Sequence, residues 1–163
     1  MRTTQMPPVT PIQYTQDQMR ALTGVSVETV RHWRKTVPYL ASKTGKAARF
    51  TFTDLLGLAI THELVSSLGV HIAAVSAGVD MLFRLLASNS AFALNGAVAF
   101  VTPGSAVLRE AGPEGIGSAP AQATLAIPLA PLILRLQQHM LPIVPVPTQA
   151  ALPFPPEAVR SKA

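Results

Sequence analysis

The chain has no cysteine, which excludes disulfides and thiolate metal ligation. It also lacks a long apolar run: the longest, Ala123–Leu134, holds two prolines and ends at Arg135. A membrane span needs ~20 apolar residues. Met1–Ile12 has no apolar core and carries Pro7, Pro8 and Pro11, so nothing there reads as a secretory signal. These absences predict a cytoplasmic protein with no membrane partner.

Catalytic patterns are missing as well. His62 and Glu63 are adjacent, but no His-Glu-x-x-His follows, and His71 lies beyond Gly69; neighbours of this kind read as a solvated helix end rather than a metal site. No Gly-x-Ser-x-Gly elbow occurs. Gly112–Gly117 is glycine-rich, yet no Gly-Lys-Ser/Thr follows it. The expectation is a protein that is not an enzyme, with no catalytic residues, metal or cofactor.

What the chain does have is a concentrated positive charge. The net charge is +5 over 163 residues. Residues 14–49 hold Arg20, Arg31, Arg34, Lys35, Lys43, Lys46 and Arg49 against Asp17 and Glu28. These seven basic and two acidic residues account for the whole excess, and the remainder is neutral. If they share a face, such a cluster binds polyanions, because each phosphate contact releases counterions.

Patterning gives the cluster a shape. Thr15 and Gln18 stand at capping-box spacing, which predicts a helix from about Gln16, with Met19 and Leu22 on its buried side. Thr23-Gly24 breaks that helix, and Ser26 caps the next. Over 26–37, Val27, Val30, Trp33 and Val37 fall on one side. Glu28, His32 and Lys35 fall opposite, with Arg31 on the flank, and Pro38 is expected to stop the helix. Two short helices joined by a glycine turn make a helix-turn-helix, whose second helix enters the major groove. Trp33 reads as a core anchor, and His32 as a group that bonds a base or phosphate. Glu28 suits either cytosine N4 or the orientation of Arg31.

A wing is expected next. Tyr39–Ala48 is polar and basic with Gly45 at its tip, and Ala48–Phe52 alternates as a short strand. Thr53 is expected to cap a third helix, with Asp54 in its first turn. Leu55, Leu56, Ile60, Leu64 and Leu68 line that helix. A fourth, from about His71 to Ala87, buries Ile72, Val75, Val79, Leu82, Phe83 and Leu86.

This order of parts resembles the MerR-like winged helix-turn-helix superfamily. The matching pieces are Tyr14-Thr15, Thr23-Gly24-Val25-Ser26, Thr29-Val30-Arg31-His32-Trp33, Arg49-Phe50-Thr51-Phe52-Thr53-Asp54-Leu55 and Leu68-Gly69-Val70. The resemblance covers about residues 13–87 and implies a sequence-specific, nucleoid-associated transcriptional regulator with double-stranded DNA as partner. It implies that Ser26 to His32 read bases while Arg49 and the Lys43–Lys46 loop hold the backbone. The expected DNA-contact set is Thr15, Ser26, Val27, Glu28, Thr29, Arg31, His32, Lys35, Lys43, Lys46 and Arg49. Excisionases and small terminase subunits of phages use similar domains, so an architectural DNA-binding subunit is an alternative. A protein-interaction adaptor with a degenerate winged helix is another. A MerR regulator continues into a long dimerising helix, whereas here Ser88-Asn89-Ser90 interrupts the pattern and no heptad run follows.

The expected fold class is α+β: a winged helix-turn-helix at 13–87 and a small β-rich appendage with a C-terminal helix at 88–141. In the appendage, Ala91–Leu94, Ala97–Val101 and Ala123–Ile127 read as strands, and Ser105–Glu110 as a strand or helical turn. Glu114–Gln122 reads as a loop and Leu129–Met140 as a helix. Interaction or homodimerisation, ligand sensing and plain packing all remain open for this half, and no effector is assigned. Residues 1–12 read as a flexible N-terminus. Residues 142–163 read as a proline-rich disordered tail, with six prolines between Pro142 and Pro156.

Overall fold

The structure, a computed structural model, describes residues 11–112 and 122–141. The expectations for residues 1–10, for most of the Glu114–Gln122 loop and for the 142–163 tail lie outside the described residues.

Helix α1 spans Gln16–Thr23 and starts as its capping box requires: the Thr15 hydroxyl accepts from Gln18 N–H, and Gln18 Oε1 accepts from Thr15 N–H. Gly24 ends it at φ 72°, the left-handed region where a Cβ is penalised, and donates to Arg20 O. Helix α2 spans Val27–Trp33 behind the Ser26 cap. It is shorter than the expected 26–37. The chain turns at 34–36, and Pro38 opens helix α3, Pro38–Ala41, instead of merely stopping the previous one. Proline suits a first helical position, having no N–H to leave unpaired and a preset φ.

The wing also differs from expectation. Its first residues are taken into α3, leaving 42–49 as the loop with Gly45 at φ 76°. The expected strand at Ala48–Phe52 is reduced to one antiparallel bridge, Tyr14 with Phe50, closed by N···O distances of 2.7 and 2.9 Å. The ladder stops there because Phe52 already belongs to helix α4, Phe52–His62. The cap of α4 is Thr51 rather than Thr53: its hydroxyl accepts from Asp54 N–H, and Asp54 accepts from Thr51 N–H at 2.9 Å.

Helix α4 runs into a π-helical turn at Glu63–Ser67. A π turn shifts the side-chain phase. Leu55, Leu56, Ile60 and Leu64 are buried as expected, but Leu68, just past the π turn, is 55% exposed. Helix α5, Ile72–Ala87, buries every residue of its expected stripe. Ala91–Leu94, expected as a strand, is instead the short helix α6, with Ser90 Oγ accepting from Ala93 N–H. Four apolar residues carry no usable period, and the serine cap settles the matter.

Strands β1 (Ala97–Val101), β2 (Ala106–Glu110) and β3 (Leu125–Pro128) form an antiparallel sheet in the order β2-β1-β3. Helix α7, Leu129–Met140, follows β3 directly. It packs on α4, α1 and β1, while α5 packs on α4, β1 and β2. Leu94, Ala99, Val101, Leu132 and Leu136 join Met19, Trp33, Phe50 and Leu55 in one hydrophobic cluster, so the sheet and α7 close the core beneath the helix-turn-helix. The mixed helix and sheet class is that expected from the sequence.

Candidate nucleic-acid interface

Helix α2 has two sides because of where its apolar residues fall. Val30 and Trp33 are 0% and 2% exposed and anchor it to the core. Glu28, Arg31, His32 and Lys35 all face solvent, and Val27 lies half-buried between the two sides. Ser26 and Thr29 are committed locally. Ser26 Oγ accepts from Thr29 N–H at 3.1 Å, and the two hydroxyls lie 2.8 Å apart. Thr15 is likewise engaged at the start of α1.

In the wing loop, Lys46 and Arg49 are exposed. Arg49 Nη1 donates to Ala48 O at 3.1 Å, which keeps its guanidinium close to the loop backbone. Lys43 behaves differently. Its ammonium sits 3.0 Å from Asp54 Oδ2 and donates to Arg49 O at 3.0 Å. It therefore ties the two ends of the wing to the start of α4.

Asp54 is the centre of that anchor and is 1% exposed. Besides Lys43 it accepts from Thr51 N–H and, at 2.7 Å, from the Tyr39 hydroxyl. Tyr39 N–H donates to Asp80 Oδ1 at 2.6 Å, and its ring stacks on Phe83 with centroids 5.1 Å apart. Arg84 Nε completes the set by donating to Asp80 at 2.9 Å. The sequence reading missed this role for Tyr39, Asp54 and Asp80. A signal for Asp54 was present, since Thr51-x-x-Asp54 has capping-box spacing. Tyr39 and Asp80 are 41 residues apart, and no local pattern joins them.

Burial pushes the Tyr39 phenol above its ordinary range, helped by the hydrogen bond to Asp54 and by that carboxylate's charge, and opposed by Arg84. Because the folded-state value is raised, its stabilisation is complete below the unfolded tyrosine pKa of about 10 and declines as pH rises beyond it. Urea unfolding between about pH 9 and 12 should show a steeper loss of stability for the wild type than for Tyr39→Phe. Parallel profiles would refute the assignment.

An exposed helix with bonding groups on its open face, held by a tight turn to a scaffold helix and flanked by a basic loop, defines a winged helix-turn-helix module. Residues 14–81 match the family model described as MerR HTH family regulatory protein, in agreement with the resemblance read from the sequence. The match ends inside α5 and leaves the sheet and α7 outside it. Among curated proteins and among solved structures, nothing matches the chain. The family match supports a DNA-binding regulator in general terms. Among the described residues, no helix is long and apolar enough to cross a membrane, and no group of three or more histidine, aspartate or glutamate residues could hold a metal.

Proposed function

We propose that the protein is a sequence-specific transcriptional regulator that lays α2 in the major groove of double-stranded DNA and rests its wing on the backbone. The observation that carries this reading is the open face of α2: Glu28, Arg31, His32 and Lys35 are exposed together within the segment that matches the MerR family model. Glu28, Arg31 and His32 present hydrogen-bonding groups suited to base edges. Lys35, Lys46 and Arg49 supply the sequence-independent phosphate contacts. Lys43 serves from behind, as the tether that fixes the wing. The reading is non-enzymatic. It includes self-association through residues 88–141, where Phe92 and Leu134 remain 93% and 55% exposed.

The test is selection of binding sites from a random duplex pool, followed by fluorescence anisotropy on the selected site across a salt series. Tight, salt-dependent binding with a defined consensus is expected. Arg31→Ala should cost about 1–3 kcal/mol on the selected site and relax discrimination at one base position. Unchanged affinity and consensus would remove Arg31 from the reading set. Binding with bending but no consensus would favour an architectural subunit, and absence of salt-dependent binding would overturn the DNA reading.

A further inference from the structure

Two basic residues of the cluster, Arg20 and Arg34, have no part in the interface described so far, and Arg34 stands in an unusual setting. Arg34 is the C-cap of α2, and its backbone N–H donates to Val30 O at 2.9 Å. Its side chain is only partly covered, yet Nε and Nη2 are both buried and have no hydrogen-bond partner. The ion pairs among the described residues are Lys43–Asp54, Arg84–Asp80 and Arg135–Glu63, and none reaches it. Arg31, one helical turn earlier, acts on it as a repelling like charge. A guanidinium does not escape such a setting by losing its proton. The free protein therefore holds a cation with two desolvated donors, no acceptor and a like charge beside it, which is costly.

Resting on the DNA-binding reading, we infer that Arg34 completes its hydrogen bonds on a backbone phosphate of bound DNA, at the C-terminal end of α2 and beside the base-reading Arg31. The chemistry favours a phosphodiester. The planar fork of arginine matches two phosphate oxygens, and the anion's charge offsets the repulsion that Arg31 exerts on Arg34. Position favours it too, because the N-terminal residues of a recognition helix meet base edges, whereas Arg34 stands at the C-terminal end. Leaving its partnerless setting for the phosphate recovers the donors that the free state forfeits. Arg34 is thus expected to be unfavourable for the folded monomer and favourable for the complex.

This opposition makes the test. Full-length wild type, Arg34→Met, Arg34→Lys and the charge control Arg135→Gln on α7 are compared by thermal melting and by anisotropy on a random-sequence duplex, which suffices for a phosphate contact. Arg34→Met should melt about 3 °C higher, bind roughly tenfold more weakly, and lower the slope of log K against log salt by about one. Arg34→Lys should retain the slope but lose part of the affinity, while Arg135→Gln should match wild type. Arginine-selective ¹⁵N spectra of the wild type should show the Arg34 Nε–H resonance shifting when duplex is added. Wild-type binding with an unmoved resonance, or with affinity and slope intact in Arg34→Met, would overturn this inference and leave the DNA reading standing. A melting temperature that falls together with the affinity would make Arg34 a structural residue and overturn it as well. A wild type that binds no duplex would overturn both.

Discussion

Replacing Asp54 by alanine is expected to destabilise the protein by about 3 kcal/mol, the lower end for breaking a buried charge pair, because Lys43 retains 23% exposure. The carboxylate accepts from three donors that lie on different parts of the chain: the Tyr39 hydroxyl, the Thr51 amide and the Lys43 ammonium. Alanine takes away the shared acceptor of all three, leaving Lys43 only its bond to Arg49 O, and removes half of the Thr51 capping box. Asp54→Asn should cost less, since an amide oxygen still accepts and only the charge is lost. Urea unfolding measures both. The effect should extend to function, because Lys43 also holds Arg49 O, so duplex affinity should fall once the wing is freed from α4. An Asp54→Ala protein within about 0.5 kcal/mol of wild type, the usual range for an uninvolved surface position, would show that the anchor contributes nothing.

The second large effect is expected at Gly78. A Cβ placed there would lie 2.0 Å from Thr102 O and 2.9 Å from Ser105 O. Both are backbone atoms of the turn between β1 and β2, and that turn is stiff: Thr102 N–H donates to Ser105 O at 2.8 Å, and Ser105 N–H to the Thr102 hydroxyl at 2.9 Å. Neither carbonyl yields by a rotamer change, so α5 must move off the sheet. Gly78→Ala should cost about 3 kcal/mol, the upper end for an overpacked contact, and lower the melting temperature. Helix propensity alone predicts the opposite, a gain of about 1 kcal/mol from glycine to alanine in a helix interior. The sign therefore decides: a stabilised Gly78→Ala protein would refute the close approach. Gly96→Ala is the control, because nothing lies within 4 Å of its added carbon.

Much of the helix-turn-helix was legible because its determinants are local. The Thr15–Gln18 capping box and the Ser26 cap act over three residues, and the stripe on α5 repeats with the helix itself. Gly24 occupies the left-handed conformation that the break after Thr23 required. The misreadings also have local causes. Thr51 and Thr53 both precede an apolar stripe, and the Asp54 three residues after Thr51, where Thr53 has Leu56, is the overlooked sign that the first is the cap. Ala91–Leu94 is too short to show a period. Leu68 has the spacing of a buried residue until the π turn shifts its phase.

The sequence by itself determined the polarity of α2 and the gathering of all the excess positive charge into residues 14–49, since helical phase and charge are properties of consecutive residues. Tertiary structure alone decided what those charges do. Lys43 and Arg34 both count in the basic cluster of the chain, Lys43 as an expected DNA contact and Arg34 with no role assigned. Folding brings Lys43 against Asp54, eleven positions on, and leaves the Arg34 guanidinium partly desolvated with no acceptor. It also brings Tyr39 to Asp80 and the Thr102 carbonyl to Gly78. Contacts between distant positions depend on how finished elements pack, and no window of sequence carries that information.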